Sequence, residues 1–198
     1  MWFGKRLFDL FFAVIGLLVL WPLFLLIIIL IRLTDRGSVF FKQSRVGYKG
    51  QIFEIIKFRT MTTDTDKKHI LITAANDSRV TRVGKILRAT KLDELPQLIN
   101  VLKSEMSFVG PRPEVEKYIS LLPLVEKNKI LSLKPGVTDF ASIEFCQEGD
   151  LLNASLDPER LYVEEILPRK IELSLRYFEV ASFFTDVKII FKTLQRIL

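Results

Sequence analysis

Between Leu10 and Ile31 the chain carries 22 consecutive residues without a charge, and no other feature of the sequence restricts its fold as strongly. As a straight helix, at 1.5 Å per residue, this run would be about 33 Å long, enough to cross the hydrocarbon of a bilayer. It is too long for the apolar part of a cleaved leader, and no small-residue cleavage site separates it from the charged stretch that starts at Arg32. The segment is therefore expected to be retained. Pro22 lies near its middle, lacks an amide donor and clashes with the carbonyl of Leu18, which predicts a bend. Lys5 and Arg6 precede the run, while Arg32, Arg36, Lys42 and Arg45 follow it, so the positive-inside rule draws both flanks to the cytoplasm. A re-entrant hairpin satisfies both observations. A kinked crossing helix stays open on these grounds, because proline is tolerated in many transmembrane helices.

With 198 residues, there is room for one membrane element and one globular domain, and a single boundary is drawn near Asp35 to Ser38, giving an anchor over 1–36 and a cytoplasmic domain over 37–198. The 29 Lys and Arg outnumber the 23 Asp and Glu, a net charge of +6 that suits an anionic partner such as a nucleotide, a lipid phosphate or an acidic membrane surface. Cys146 is the sole cysteine and His69 the sole histidine. A disulfide framework, a structural zinc site and a Cys/His relay are thereby set aside, and chemistry must fall to carboxylates, hydroxyls, Lys and Arg.

Val39 to Lys42 and Gln51 to Thr60 are rich in Val, Ile and Phe, and Gly47 and Gly50 lie between them, as in a short β-hairpin. From Arg79 to Arg88 the apolar residues Val80, Val83, Ile86 and Leu87 recur at helical spacing, with Arg79, Arg82 and Lys85 on another face. Beyond Pro158 the chain reads as helix to the end. There Phe184, Val187, Ile190, Phe191 and Leu194 share one side, and Lys188, Lys192 and Arg196 another, a pattern that suits core packing or a membrane surface. The fold class expected is α+β, mostly helical with a small β-hairpin or sheet.

The run Thr90-Lys91-Leu92-Asp93-Glu94-Leu95-Pro96-Gln97-Leu98 leads into an apolar helical pattern through Val101 and Leu102. With Thr90 as N-cap, Pro96 would break a backbone bond. With Asp93 as N-cap, Pro96 falls in the first turn, where no donor is needed. Asp93 is thus predicted at a helix N-terminus, where the helix end favours its ionised form. Taken alone, the run is better explained by simple capping, since Asp is a favoured N-cap and Glu is common in a first turn. Downstream, Gly110-Pro111-Arg112-Pro113 holds an arginine between two prolines that stiffen the loop, suited to phosphate or to a plain helix-stopping turn. Upstream, Lys57-Phe58-Arg59-Thr60-Met61 alternates cationic and apolar residues, as an amphipathic strand end also does.

Taken together, these segments resemble the monotopic phosphoglycosyl transferases, bacterial sugar transferases that start glycan assembly on polyprenol phosphate. The resemblance covers nearly the whole chain: the proline-bent apolar segment, KFRTM at 57–61, the long run at 79–113 and LKPGVT at 133–138. It implies that Asp93 is the nucleophile and Glu94 the second member of an acidic dyad. Lys57, Arg59, Arg88 and Arg112 would line the phosphate or nucleotide site, and Pro22 would break a re-entrant helix. The implied partners are a UDP-sugar donor, polyprenol (undecaprenyl) phosphate as acceptor and membrane lipids, with no nucleic acid, at the cytoplasmic face of a bacterial inner membrane. The chain looks like the minimal form of the family. It departs from the commoner pattern at Asp139-Phe140-Ala141-Ser142, across which sugar specificity is not transferred.

A carboxylate attacking an anionic diphosphate meets like charges, each pair costing roughly 4 kcal/mol at about 4 Å and an effective dielectric near 20. Mg2+ held by Asp93 or Glu94 and bridging to the diphosphate, with Arg and Lys around it, would offset that. A hydrolase would use the same parts but deliver water, and in a membrane scaffold Asp93 would be a cap alone.

Overall fold

The computed structural model describes residues 2–34, 37–62 and 79–197. His69, Asp35 and Arg36 lie outside the described residues, and with them the expected boundary between anchor and domain. The apolar run forms one helix, α1 (Lys5–Thr34), about 45 Å long at 1.5 Å per residue. Helical backbone continues through Pro22, which stands on the exposed side.

The helix lies against the body of the protein along a narrow stripe. Its buried residues are Lys5, Asp9, Ala13, Ile27 and Ile31, whose spacing by multiples of roughly one turn keeps them on one face. Ala13 packs with Phe53, Ile55, Val101 and Met106, and a Cβ on Gly16 would stand 3.3 Å from Leu98. Ile27 and Ile31 pack with Val39, Phe58 and Leu87. Both ends of the helix and its centre therefore touch the same globular body, while Phe11, Leu18, Val19, Trp21, Leu26 and Leu33 point outward, at least half exposed.

The expected hairpin is present as β1 (Phe40–Val46) and β2 (Ile52–Phe58), antiparallel, with Phe41 opposite Lys57. The turn uses Lys49 and Gly50 at positive φ, a conformation that costs Gly nothing. The basic helix begins later than the periodicity suggested. Val80 forms a β-bridge with Met61, and α2 (Arg82–Ala89) starts after Thr81, whose hydroxyl accepts the N–H of Gly84. Strand pairing outside the helix has thus taken Arg79 and Val80 away from its first turn.

After a 3-10 turn (Leu92–Glu94) comes α3 (Gln97–Leu102), followed by β3 (Ser107–Val109), α4 (Glu116–Ile119) and α5 (Leu124–Leu131). Strand β4 (Gly136–Thr138) runs parallel to β3, and α6 (Phe140–Glu144) and α7 (Glu148–Asn153) follow it. The C-terminal part is helical as expected: α8 (Pro158–Leu161), a π turn (Tyr162–Ile166), α9 (Leu167–Val180) and α10 (Phe183–Ile197). The architecture is mostly helical with two small sheets.

Helix α10 lies beside the start of α1. Asp186, fully buried, accepts from the indole N–H of Trp2 (2.8 Å), the ammonium of Lys5 (2.5 Å) and the hydroxyl of Tyr177 (2.7 Å). This fixes which face of α10 turns inward: Asp186 and Ile189 are buried, whereas Phe184, Val187, Phe191 and Leu194 stay exposed. Of the two readings of that apolar side, core packing is overturned for these four residues. They extend the exposed apolar surface of α1.

Candidate active site

Asp93 and Glu94 are brought next to Lys57 and Arg112 by three separate contacts. The first is a side chain that staples α3 to β2. Asn100, fully buried, accepts from the backbone N–H of Ile56 (3.0 Å) and donates to the carbonyl of Glu54 (2.7 Å), so α3 sits on the strand that carries Lys57. The second comes from α1. Arg6 donates to the carbonyls of Val101 (2.8 Å) and Leu102 (3.2 Å), which lack partners inside α3, and Asp9 accepts the N–H of Phe108 (3.1 Å). The third is the close approach of α2 to the end of β2: a Cβ on Gly84 would lie 2.1 Å from the carbonyl oxygen of Thr60, so only glycine fits. Arg88, one turn on, donates from Nε to the Thr60 hydroxyl at 2.9 Å.

The placement of Asp93 differs from the sequence expectation. It is the middle residue of the 3-10 turn Leu92–Glu94, and Pro96 occupies the N-cap position of α3. The reason lies in Lys91, whose φ of 55° turns the chain sharply after α2 and forces a tight turn before α3 can start. Asp93 is also buried, at 9% exposure. Burial raises its pKa, and the negative charge of Glu94 adds to that, while Lys57, Arg88 and Lys91 pull it back down. The charges that favour its ionised form come from neighbouring cations rather than from a helix end, and burial outweighs them.

Glu94 is clamped. Its Oε1 accepts from Lys57 Nζ at 2.6 Å and from Arg112 Nη2 at 3.0 Å. Burial opposes its ionisation, but the two cations prevail and hold its pKa well below the usual carboxylate range. Arg112 is correspondingly fixed as a cation, chiefly by Glu94. Arg59 shares a strand face with Lys57 by alternation and is half-buried, its backbone N–H on the carbonyl of Val39 at 2.8 Å. Among the described residues it is not one of the charges that act most strongly on Asp93 or Glu94.

The Gly110–Pro113 loop is held at the right depth by the motif at 133–138. Gly136 donates to the carbonyl of Pro111 (3.0 Å) and Gly110 to that of Thr138 (3.2 Å). The divergent segment after Thr138 takes part directly: Asp139 Oδ2 accepts the N–H of Arg112 (3.1 Å), while Oδ1 accepts from the N–H and hydroxyl of Ser142 and caps α6. Asn100, Asp139 and Lys91 are the positioning residues that sequence reasoning missed. Asp139 carried a readable signal, as an aspartate three residues before Ser142 at a helix start. Asn100 carried a weaker one, as a poor helix former inside an apolar helical pattern.

Among the described residues no cluster of three or more His, Cys, Asp or Glu side chains could cage a metal ion. With Glu94 Oε1 taken by Lys57 and Arg112, the carboxylates that could hold magnesium, in its mode of one or two carboxylates completed by water and substrate phosphates, are Asp93 and the second oxygen of Glu94. What the arrangement offers chemically is a buried carboxylate beside a fixed acid–base pair, ringed by Lys57, Arg88, Lys91 and Arg112, which suits an anionic phosphate group.

Residues 1–198 match the family model described as "Bacterial sugar transferase". The chain is 37% identical, over 97% of its length, to the undecaprenyl-phosphate glucose phosphotransferase of Komagataeibacter xylinus, of which it spans 35%. It is 34% identical, over 98% of its length, to the exopolysaccharide production protein ExoY of Sinorhizobium fredii, of which it spans 85%. A third relative, 36% identical over 99% of the chain, is the UDP-N-acetylgalactosamine-undecaprenyl-phosphate N-acetylgalactosaminephosphotransferase of Aeromonas hydrophila. The chain spans 44% of that protein, so it covers less than half the length of the first and third of these relatives.

Proposed function

The chain belongs to the bacterial sugar transferase family, and from that premise we propose that it moves a sugar 1-phosphate from a UDP-sugar to undecaprenyl phosphate, yielding undecaprenyl diphosphate sugar and UMP. The observation that carries this reading is the buried Asp93 beside the Lys57–Glu94–Arg112 clamp. The site lies on a body whose flank, formed by α1 and α10, is apolar and exposed. A water-soluble anion and a lipid phosphate can meet there. Relatives named for glucose and for N-acetylgalactosamine share the family, so the sugar is left unassigned.

The reaction proceeds in two displacements. An Asp93 carboxylate oxygen attacks the phosphorus that bears the sugar; the bond from that phosphorus to the UMP oxygen breaks, UMP leaves, and an acyl phosphate joins Asp93 to the sugar. A phosphate oxygen of the lipid then attacks the same phosphorus and frees Asp93. Burial strips water from the Asp93 carboxylate, and Lys57, Arg88 and Lys91 keep its ionised form accessible. Arg112, its guanidinium fixed by Glu94 and its backbone by Asp139, binds the diphosphate oxygens. Magnesium, when bound by Asp93 or Glu94 and the substrate, supplies further charge neutralisation.

Re-entry of α1 is part of this reading. A helix crossing the bilayer would separate its ends by about 30 Å of hydrocarbon, yet Lys5 and Ile31 both rest on the one globular body, which supports both ends facing the cytoplasm. Single cysteines at Gly4 and Ser38, with Cys146 replaced, should then resist an impermeant thiol reagent in intact cells; labelling at position 4 from outside would refute re-entry.

The chemistry is tested by incubating the protein with a panel of UDP-sugars without lipid and recording UMP and the intact mass. Stoichiometric UMP and an adduct mapping to Asp93 are expected, with neither in Asp93→Asn. UMP release strictly dependent on lipid, with no adduct, would remove the covalent step.

A further inference from the structure

Next to the clamp lies a cavity of about 330 Å³, lined by Glu94 and Arg112, by Leu95 and Leu98 of the α3 region, and by Ile190 and Leu194 of α10. That is the lower end of the size range for small-molecule sites. Several of the polar groups along its walls are engaged with one another. The hydroxyls of Thr138 and Thr193 bond each other at 2.6 Å, and the ammonium of Lys170 sits 2.8 Å from Glu148. The rest of the wall is largely apolar, with the cationic groups of Arg112, Lys91 and Arg196 beside it.

The cavity adjoins the exposed apolar face of α10. Leu194 is half exposed on the same side of α10 as Phe184, Val187 and Phe191, and Leu98 is the residue against which Gly16 of α1 packs. An occupant matched to this space has an apolar body that reaches the bilayer and an anionic end that meets Arg112. A nucleobase is the poorer match, since the hydroxyls of Thr138, Thr193 and Ser142 are already bonded and most of the wall is apolar. We infer that this cavity holds the prenyl units nearest the phosphate of the lipid acceptor, with that phosphate facing Arg112 and Lys91. The inference rests on the transferase reading and locates its acceptor: α10 forms one wall of the acceptor site, and Leu95 and Leu98 the other.

Cys146 also lines the cavity and is partly exposed, which gives a probe in the unmodified protein. In phospholipid nanodiscs, polyprenol phosphate should slow alkylation of Cys146 by a maleimide about tenfold or more, the effect expected from burying about two methylene groups or more. UDP-sugar should slow it far less. Protection by UDP-sugar but not by polyprenol phosphate would overturn the inference in favour of the donor, as would equal protection by phosphatidic acid in favour of any anionic lipid; protection by none of the three would also overturn it. In a second measurement, Leu194→Trp, on an exposed position that tolerates bulk, should raise KM for the lipid at least about tenfold more than KM for the UDP-sugar. Equal changes in the two would count against it. The alkylation readout needs no turnover, so a wild-type protein that is protected by the lipid but transfers no sugar phosphate would sink the functional reading and leave the cavity assignment standing.

Discussion

Replacing Lys57 by Met removes the ammonium 2.6 Å from Glu94 Oε1 while keeping a side chain of similar length. At that distance and an effective dielectric of about 20, two unit charges attract by roughly 6 kcal/mol. Solvent screens part of this, because the two side chains keep 20% and 16% exposure, and Arg112 stays 3.0 Å away to hold the carboxylate. The loss expected is therefore about 2–3 kcal/mol, below the 3–5 kcal/mol typical when a buried charge loses its partner altogether. For a chain of this size that lowers Tm by roughly 4–12 °C. The pH dependence has a definite sign. Glu94 has a folded pKa depressed below its ordinary 4.5, so its pairing contributes stability that is present above that value and is lost as pH falls further. Asp93, raised above 3.8 chiefly by burial, is raised further once Lys57 is gone, and so costs the variant stability as pH rises past 3.8. Both effects make the gap between wild type and Lys57→Met widen from acid to neutral pH. The assay is thermal unfolding at one scan rate, from about pH 3 to pH 7, in excess chelator so that no metal takes the cation's place. Lys57→Arg should recover most of the loss. Equal Tm values at neutral pH, or a gap indifferent to pH, would refute the claim that Lys57 holds the acidic pair.

Three further outcomes are expected. Gly84→Ala places a Cβ 2.1 Å from a backbone oxygen, and overpacking of this kind costs about 1–3 kcal/mol; Tm should fall by several degrees and transfer should weaken as Arg88 is displaced, whereas unchanged melting would show that α2 can shift at no cost. Asp139→Ala loses both the α6 cap, worth about 1 kcal/mol, and the bond to the Arg112 backbone, so KM for the UDP-sugar should rise several-fold while Asp139→Asn keeps most of the function; an effect on Tm without one on KM would make Asp139 a cap alone. Chelation should abolish turnover and added magnesium restore it, and full activity with metal shown to be absent would count against a metal at Asp93 and Glu94.

What could be read from the sequence follows the range of the forces involved. The β1–β2 hairpin, the C-terminal helices and the long apolar helix were legible because each is set by local periodicity and turn residues over one or two dozen positions. Lys57, Asp93, Glu94 and Arg112 were legible through the motifs that carry them, and the structure does bring these four together. The position of Asp93 was not. Capping rules place it correctly only if α3 starts where Pro96 permits, and the positive φ at Lys91 was invisible in a run of ordinary residues.

The sequence by itself determined that the chain has a bilayer-length apolar helix, a basic surplus and an acidic pair among cations, since these are properties of composition and short-range order. Tertiary structure alone decided that the helix lies along the body, that Asp186 gathers Trp2, Lys5 and Tyr177, and that Asn100 and Asp139 set the depth of α3 and of the Arg112 loop. Apart from Tyr177 and Asp186, 9 positions apart, those contacts join residues from 27 to 184 positions apart. At such separations, which polar side chain meets which backbone group depends on how whole elements pack, because a buried donor or acceptor must find a partner wherever the folded chain brings one within reach.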